Sequence, residues 1–168
     1  MHANKTSVVE NLSNELEIVL TRVFDAPREM VFDACTDPKQ VVEWWGPNGF
    51  TTTIEEMDVR VGGRWIHTMH GPDGTDYPNF GVFTEVNRPE ILAHRHGGGR
   101  KGDALNVNFE SIWTFEELPG NRTRVTLRNV FASVEARDFV IRNYHAVEGG
   151  KQTMERLAEF VAEKGVAA

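Results

Sequence analysis

Four histidines fall in segments with the alternation of β-strands: His67 and His70 in Arg64 to His70, and His94 and His96 in Glu90 to His96. Imidazole is the side chain whose ordinary pKa lies near neutrality, so a histidine on an enclosed face can serve as acid, base or metal ligand. Trp65, His67 and Met69 alternate and therefore share a face, and the bulk of the two apolar neighbours turns that face inward. His67 is the leading pocket histidine. His94 and His96 share a face for the same reason, and a metal site would require all three imidazoles to converge. No carboxylate that would orient them is evident, so we expect no metal and no cofactor. One histidine should be hydrogen-bonded or set in a cavity wall, with the others at its rim.

Other reactive constellations are weaker. No serine sits in a Gly-x-Ser-x-Gly elbow, and Cys35 lies on a short predicted helix beside no obvious base. Gly62-Gly63 and Gly97 to Gly99 do not lead into a helix N-terminus, so they read as turns rather than phosphate cradles. Tyr144 and His145 could present polar tips to a mostly apolar pocket.

The elements that would position these residues can be read in order. Leu16, Ile18, Leu20 and Phe24 place a first strand over Glu15 to Phe24. Asp25 as N-cap and Pro27 in the first turn open a short helix ending near Cys35, and Asp37-Pro38 opens a second. The second runs into Trp44-Trp45 and is stopped by Gly46-Pro47. Helical neighbours point about 100° apart, so one ring can face a pocket entrance while the other packs beneath or stays partly exposed; we take Trp45 for the entrance and Trp44 for the packing. Six further strands follow, over Phe50 to Val59, Arg64 to His70, Tyr77 to Val86, Glu90 to His96, Val107 to Phe115 and Thr123 to Phe131. Turn residues such as Gly71-Pro72-Asp73-Gly74 and Pro119-Gly120-Asn121 separate them into an antiparallel meander. Gly97 to Gly102 reads as a mobile loop. A helix is expected over Glu135 to Tyr144, a break, kink or helix start near Gly149-Gly150, and then an amphipathic helix carrying Met154, Leu157, Ala158 and Val161.

Composition narrows the class. At 168 residues, with 40% hydrophobic and 26% charged residues, the chain fits one soluble domain over 15–163, between a polar leader at 1–14 and a tail at 164–168. A net charge of −7 argues against nucleic acid as a partner. No apolar run is long enough for membrane insertion, and the first 14 residues lack the pattern of a secretory signal. A single cysteine excludes an internal disulfide and fits a cytoplasmic location.

Several motifs in this order resemble one family. Phe24-Asp25-Ala26-Pro27-Arg28, Trp44-Trp45-Gly46-Pro47, Asp58 to Trp65, Gly71-Pro72-Asp73-Gly74 and Glu148 to Thr153 are similar to the activator of heat shock protein 90 ATPase homologue-like family, within the START-like (SRPBCC) superfamily. The resemblance spans about residues 15–163. It implies an α+β helix-grip fold: a curved seven-stranded antiparallel sheet wrapped on a long C-terminal helix, with two short helices after strand 1. It also implies a cavity between sheet and terminal helix for an apolar small molecule, such as a lipid, polyketide or aromatic-like compound. Candidate lining residues are Trp45, Phe50, Trp65, His67, Met69, Phe83, Phe109, Trp113, Tyr144 and His145. The family pattern sets Glu148 just before the two glycines, as a cap or ion-pair partner or, alternatively, a cavity acid. His145 stands where relatives commonly carry glycine, so its side chain would narrow or polarise the entrance.

Binding without catalysis is the leading expectation. A cyclase, isomerase or hydrolase using His67 or Glu148 in the same cavity is one alternative, and a co-chaperone-like interaction protein is another. The chain offers no room for the extra chaperone-binding domain of the eukaryotic co-chaperones, so a chaperone partner is not expected. A homodimer through an exposed strand edge is left open.

Overall fold

The computed structural model of this chain describes residues 8–98 and 108–167. In chain order its elements are β1 (Val9–Asn11), β2 (Glu17–Phe24), α1 (Arg28–Thr36), α2 (Pro38–Trp44), β3 (Thr51–Met57), β4 (Arg64–His70), β5 (Asp76–Asn87), β6 (Ile91–Gly98), β7 (Phe109–Leu118), β8 (Arg122–Phe131), α3 (Val134–Tyr144) and α4 (Ala146–Ala167). The eight strands make one antiparallel sheet in the order β1-β2-β8-β7-β6-β5-β4-β3. From β3 to β8 every neighbour in space is the neighbour in sequence, as hairpins require. The one long-range pairing sets β2 against β8, with Leu20 opposite Leu127.

Alternation along the strands builds one concave apolar face. Ile18, Leu20 and Phe24 from β2, Phe83 from β5, Trp113 and Phe115 from β7, and Val125 from β8 are all buried on it. The α4 stripe of Met154, Leu157 and Val161 closes over them, each at most 2% exposed. Burial of such side chains is worth about 1.5–3 kcal/mol apiece, which holds α4 in the grip of the sheet. Among the described residues no helix is long and apolar enough to cross a membrane.

Structure and sequence expectation differ at several points. The sheet has eight strands rather than seven, because Val9–Asn11 pairs with Val19–Thr21 inside the segment read as a leader. All three β1 residues are exposed, so no hydrophobic alternation marks the strand and only its backbone pairing defines it. Asp25 does not cap α1: Pro27 is the N-cap residue and the position has no side-chain cap. Asp37 does cap α2, accepting from the Lys39 amide. The helix α4 runs to Ala167, into the expected tail. Of the loop expected over Gly97 to Gly102, Gly97 and Gly98 instead belong to β6, paired with Phe80 and Asn79, and 99–102 lie outside the described residues, as does Val107; β7 begins at Phe109.

The break near Gly149-Gly150 falls four residues earlier. His145 takes the left-handed conformation (φ 51°) at the C-cap of α3, and α4 starts at Ala146 and runs through both glycines. Gly150 is there for proximity: a Cβ on it would lie 2.6 Å from Leu20 Cδ1. The first turns of α4 thus press directly on β2.

Candidate functional site

The tryptophan pair sits where α2 ends. Trp44 is 1% exposed and its Nε1 donates to the Ala34 carbonyl at 2.9 Å, fastening α2 to α1. Trp45 is the C-cap residue, in extended conformation, and Gly46 then turns the chain with φ 107°. The half-helical step between the two rings sends Trp45 to the concave face of the sheet while remaining half-buried. There it meets four aromatic rings: Trp65 at 4.9 Å, Trp44 at 5.3 Å, His67 at 5.9 Å and Trp113 at 6.3 Å between centroids.

β4 and β5 supply the floor. Trp65 stacks on His67 at 4.3 Å and lies parallel to Phe83 at 6.2 Å, while His94 from β6 meets Trp65 edge-on at 5.2 Å. Between Cys35, Trp45, Trp65, Phe83, His94 and Trp113 a cavity of only about 10 Å³ remains, roughly the space one water molecule occupies. The rings fill the interior, and no chamber ready for a lipid or sterol lies at this end.

These rings also carry polar atoms. Trp45 Nε1, Trp65 Nε1 and both ring nitrogens of His67 are buried and have no hydrogen-bond partner. A buried polar group left unpaired costs about 1–3 kcal/mol. Burial, and secondarily the nearby His96, pushes the His67 pKa down to about 3, and burial does the same to His94, with contributions from His96 and His67. Both rings are therefore neutral at pH 7, each offering one donor and one acceptor. Burial drives the Cys35 thiol far above its ordinary pKa, so it is an inert wall rather than a nucleophile.

The other expected site residues lie at the end of the sheet where β4 and β6 finish and β5 and β7 begin. Met69, Phe109 and His96 face the concavity there but are only half-buried, and His96 stacks on Phe109 at 4.5 Å. Phe50 contacts Tyr77 at 5.8 Å, and Tyr77 contacts Tyr144 at 6.1 Å. The structure thus brings together Trp45, Trp65, His67, Phe83 and Trp113, places Phe50, Met69, Phe109 and Tyr144 at the more open end, and leaves His145 exposed on the helix junction. Glu148 is also exposed, in the first turn of α4, on an outer cleft of about 290 Å³ with Asn48, Lys151, Gln152 and Glu159. It does not line the ring-lined pocket. Among the described residues no group of three or more His, Cys, Asp or Glu side chains is arranged to hold a metal ion.

Sequence reasoning missed Arg156. It sits on the polar flank of the α4 stripe, where an arginine reads as solvated. Its Nη1 instead donates to the carbonyls of Gly46, Pro47 and Phe50 at 2.9, 3.0 and 3.2 Å, and to that of Trp45 at 3.4 Å. Leu92 and Met57, which also border the cavity, carry no signal beyond ordinary alternation.

An open antiparallel sheet curved around a long C-terminal helix, with a ring-lined interior between them, is the helix-grip arrangement of the START-like superfamily. The family described as "Activator of Hsp90 ATPase homolog 1-like protein" matches residues 25–162, and the chain belongs to it. Among solved structures, protein Ms6760 from Mycobacterium smegmatis is 28% identical, over 95% of this chain and 98% of its own, with a TM-score of 0.81. A protein from Arthrobacter aurescens is also 28% identical, over 95% of this chain and 92% of its own, at a TM-score of 0.82. A protein of the same family from Silicibacter pomeroyi, 22% identical over 88% of this chain and 99% of its own with a TM-score of 0.72, shares the fold. No curated protein matches the sequence.

Proposed function

We propose that the protein binds a small, largely apolar molecule between the concave face of the sheet and the helices that cover it, and that binding displaces a ring rather than filling a preformed chamber. The observation that carries this reading is the set of four unpaired, buried nitrogens on Trp45, Trp65 and His67 within one cluster of aromatic rings. Packing alone would favour phenylalanine at these positions, because it buries a similar ring without the cost of a dry N–H. A ligand with a polar tip and an apolar body would offset that cost. The small cavity sets the mode: access requires movement of Trp45, the half-buried ring of the cluster at the end of α2.

Binding without reaction is the form these residues support. A catalytic version would rest on the neutral His67 without help from Glu148, which lies outside the pocket.

Titration with 1-aminoanthracene, whose fluorescence rises in apolar surroundings, tests the reading. Saturable uptake at one site is expected, weakened about tenfold by Cys35→Leu, which adds bulk to the cavity wall. A linear, unsaturable rise, or equal affinity in the variant, would contradict it.

A further inference from the structure

Trp44 and Trp45 are held in different ways. The Trp44 indole is anchored by its bond to the Ala34 carbonyl, whereas the Trp45 indole has no hydrogen bond and is kept in place by ring contacts alone. Those contacts form a slot: Trp44, Trp65, His67 and Trp113 surround one indole at centroid distances of 4.9–6.3 Å. The backbone that bears Trp45 is fixed by Arg156 and by Thr52, whose Oγ1 donates to the Trp45 carbonyl at 3.1 Å. Emptying the slot would therefore take rotation about the Trp45 χ1 and χ2, with α2 and the loop left in place.

The slot, once emptied, has the size and flatness of a fused bicyclic ring. Its walls then include the Trp65 and His67 rings, whose nitrogens are buried and unpaired. An indole N–H only donates, and a neutral imidazole donates once and accepts once, so donors outnumber acceptors. A hydrocarbon of the right shape would leave these groups as costly as before, while an acceptor oxygen on the ring edge would pair with them.

We infer that the Trp45 indole is a built-in stand-in for the ligand, and that the molecule which replaces it is a flat, bicyclic-sized aromatic compound carrying an acceptor oxygen. This rests on the pocket reading above and narrows it to a ligand class and an exchange mechanism. Trp45 competes with the ligand for the same slot, so removing its ring strengthens binding and removing the Trp65 donor weakens it.

The test uses the full chain labelled with 15N at tryptophan and titrated with coumarin or with naphthalene, a matched pair with and without acceptor oxygens. Indole N–H signals are assigned by Trp45→Phe, Trp65→Phe and Trp113→Phe, the fourth belonging to Trp44. With coumarin, the Trp65 signal should move downfield as it gains a partner. The Trp45 signal should move to a solvent-exposed position with fast water exchange, and the Trp44 signal, already bonded, should stay. Coumarin should bind at least about tenfold more tightly than naphthalene, and Trp65→Phe should erase that preference. Equal affinity for the two probes with no downfield shift at Trp65 would overturn the acceptor preference while leaving the pocket reading intact. Binding with the Trp45 signal unmoved would overturn the exchange. Uptake of 1-aminoanthracene with neither bicyclic probe bound would overturn the ligand class, and failure of all three probes would overturn the pocket reading as well.

Discussion

Arg156 reaches Trp45 through its backbone rather than its ring: Nη1 of the α4 arginine lies 3.4 Å from the Trp45 carbonyl and within 3.2 Å of those of Gly46, Pro47 and Phe50. One guanidinium nitrogen carries two hydrogens at most, so four carbonyls share them in bifurcated bonds. The Asn48 amide also donates to Gln152 Oε1 at 3.0 Å. The terminal helix therefore holds the turn after α2 through its backbone, and the Trp45 indole itself makes no hydrogen bond.

Replacing Arg156 with Met keeps the aliphatic stem and removes the shared donor. The Gly46 and Phe50 carbonyls then lose this donor, while those of Trp45 and Pro47 keep Thr52 Oγ1 and the Phe50 amide, so stability should fall by about 2 kcal/mol, read from urea denaturation. The turn should loosen, with faster amide exchange at Phe50, whose N–H otherwise bonds the Pro47 carbonyl. A loss below the error of the measurement would show that the turn holds itself.

Gly150→Ala reverses the ordinary sign of a helix substitution. Alanine normally gains about 1 kcal/mol over glycine inside a helix, but here the new methyl would sit 2.6 Å from Leu20 Cδ1, in a side chain only 1% exposed. The buried Leu20 side chain must shift to make room, so a net loss of about 1–2 kcal/mol is expected. Gly149→Ala, with its nearest contact at 3.3 Å from Pro47 Cγ, should be close to neutral. Thermal melts of the two variants check the contrast, and equal gains would mean α4 is less tightly seated than the distances say.

His145→Gly should stabilise the protein by about 1 kcal/mol. The residue is exposed and sits at φ 51°, a region that costs an L-residue about 1–2 kcal/mol and glycine little. Chemical denaturation measures it. Destabilisation would show that the imidazole makes a contact worth more than the strain.

Acid should weaken the fold earlier than carboxylate protonation alone would. His67 and His94 have native pKa values of about 3 against an ordinary 6.5. Below pH 6.5 the unfolded chain takes up protons that the native rings refuse, so stability is complete above that pH and declines as pH falls toward 3. The slope is about 1.4 kcal/mol per pH unit for each ring. His96, pushed to about 4 but only half-buried, adds less. Stability measured from pH 7.5 to 4.5 should show this slope, and His94→Phe should remove about half of the steep part. A flat profile across pH 6.5–4.5 would contradict the buried neutral state.

Much of this architecture was legible because the chain states it locally. Alternation of Trp65, His67 and Met69 gave the inward face, Asp37-Pro38 gave the start of α2, and Gly46-Pro47 gave its end. That the two tryptophan rings diverge follows from helical geometry, but which of them packs beneath does not, since Trp45 lies just past the helix end in extended conformation. What was not legible depends on contacts distant in sequence. β1 is defined by pairing rather than by side chains, and Arg156 acquires its role only when α4 lies 110 residues from the turn that it holds. His145, expected to narrow or polarise the entrance, is exposed at the helix junction, where it takes the left-handed conformation that ends α3. The unpaired nitrogens could not be anticipated, since tryptophan and histidine find partners in most interiors.

The central claim is that a small ligand enters the ring cluster around Trp45, and native mass spectrometry of protein purified without detergent addresses it most directly. The predicted result is a second species heavier by the mass of one small molecule, released on denaturation and reduced in Cys35→Leu. A bare chain mass under gentle ionisation, joined to no saturable uptake of 1-aminoanthracene, would contradict the account.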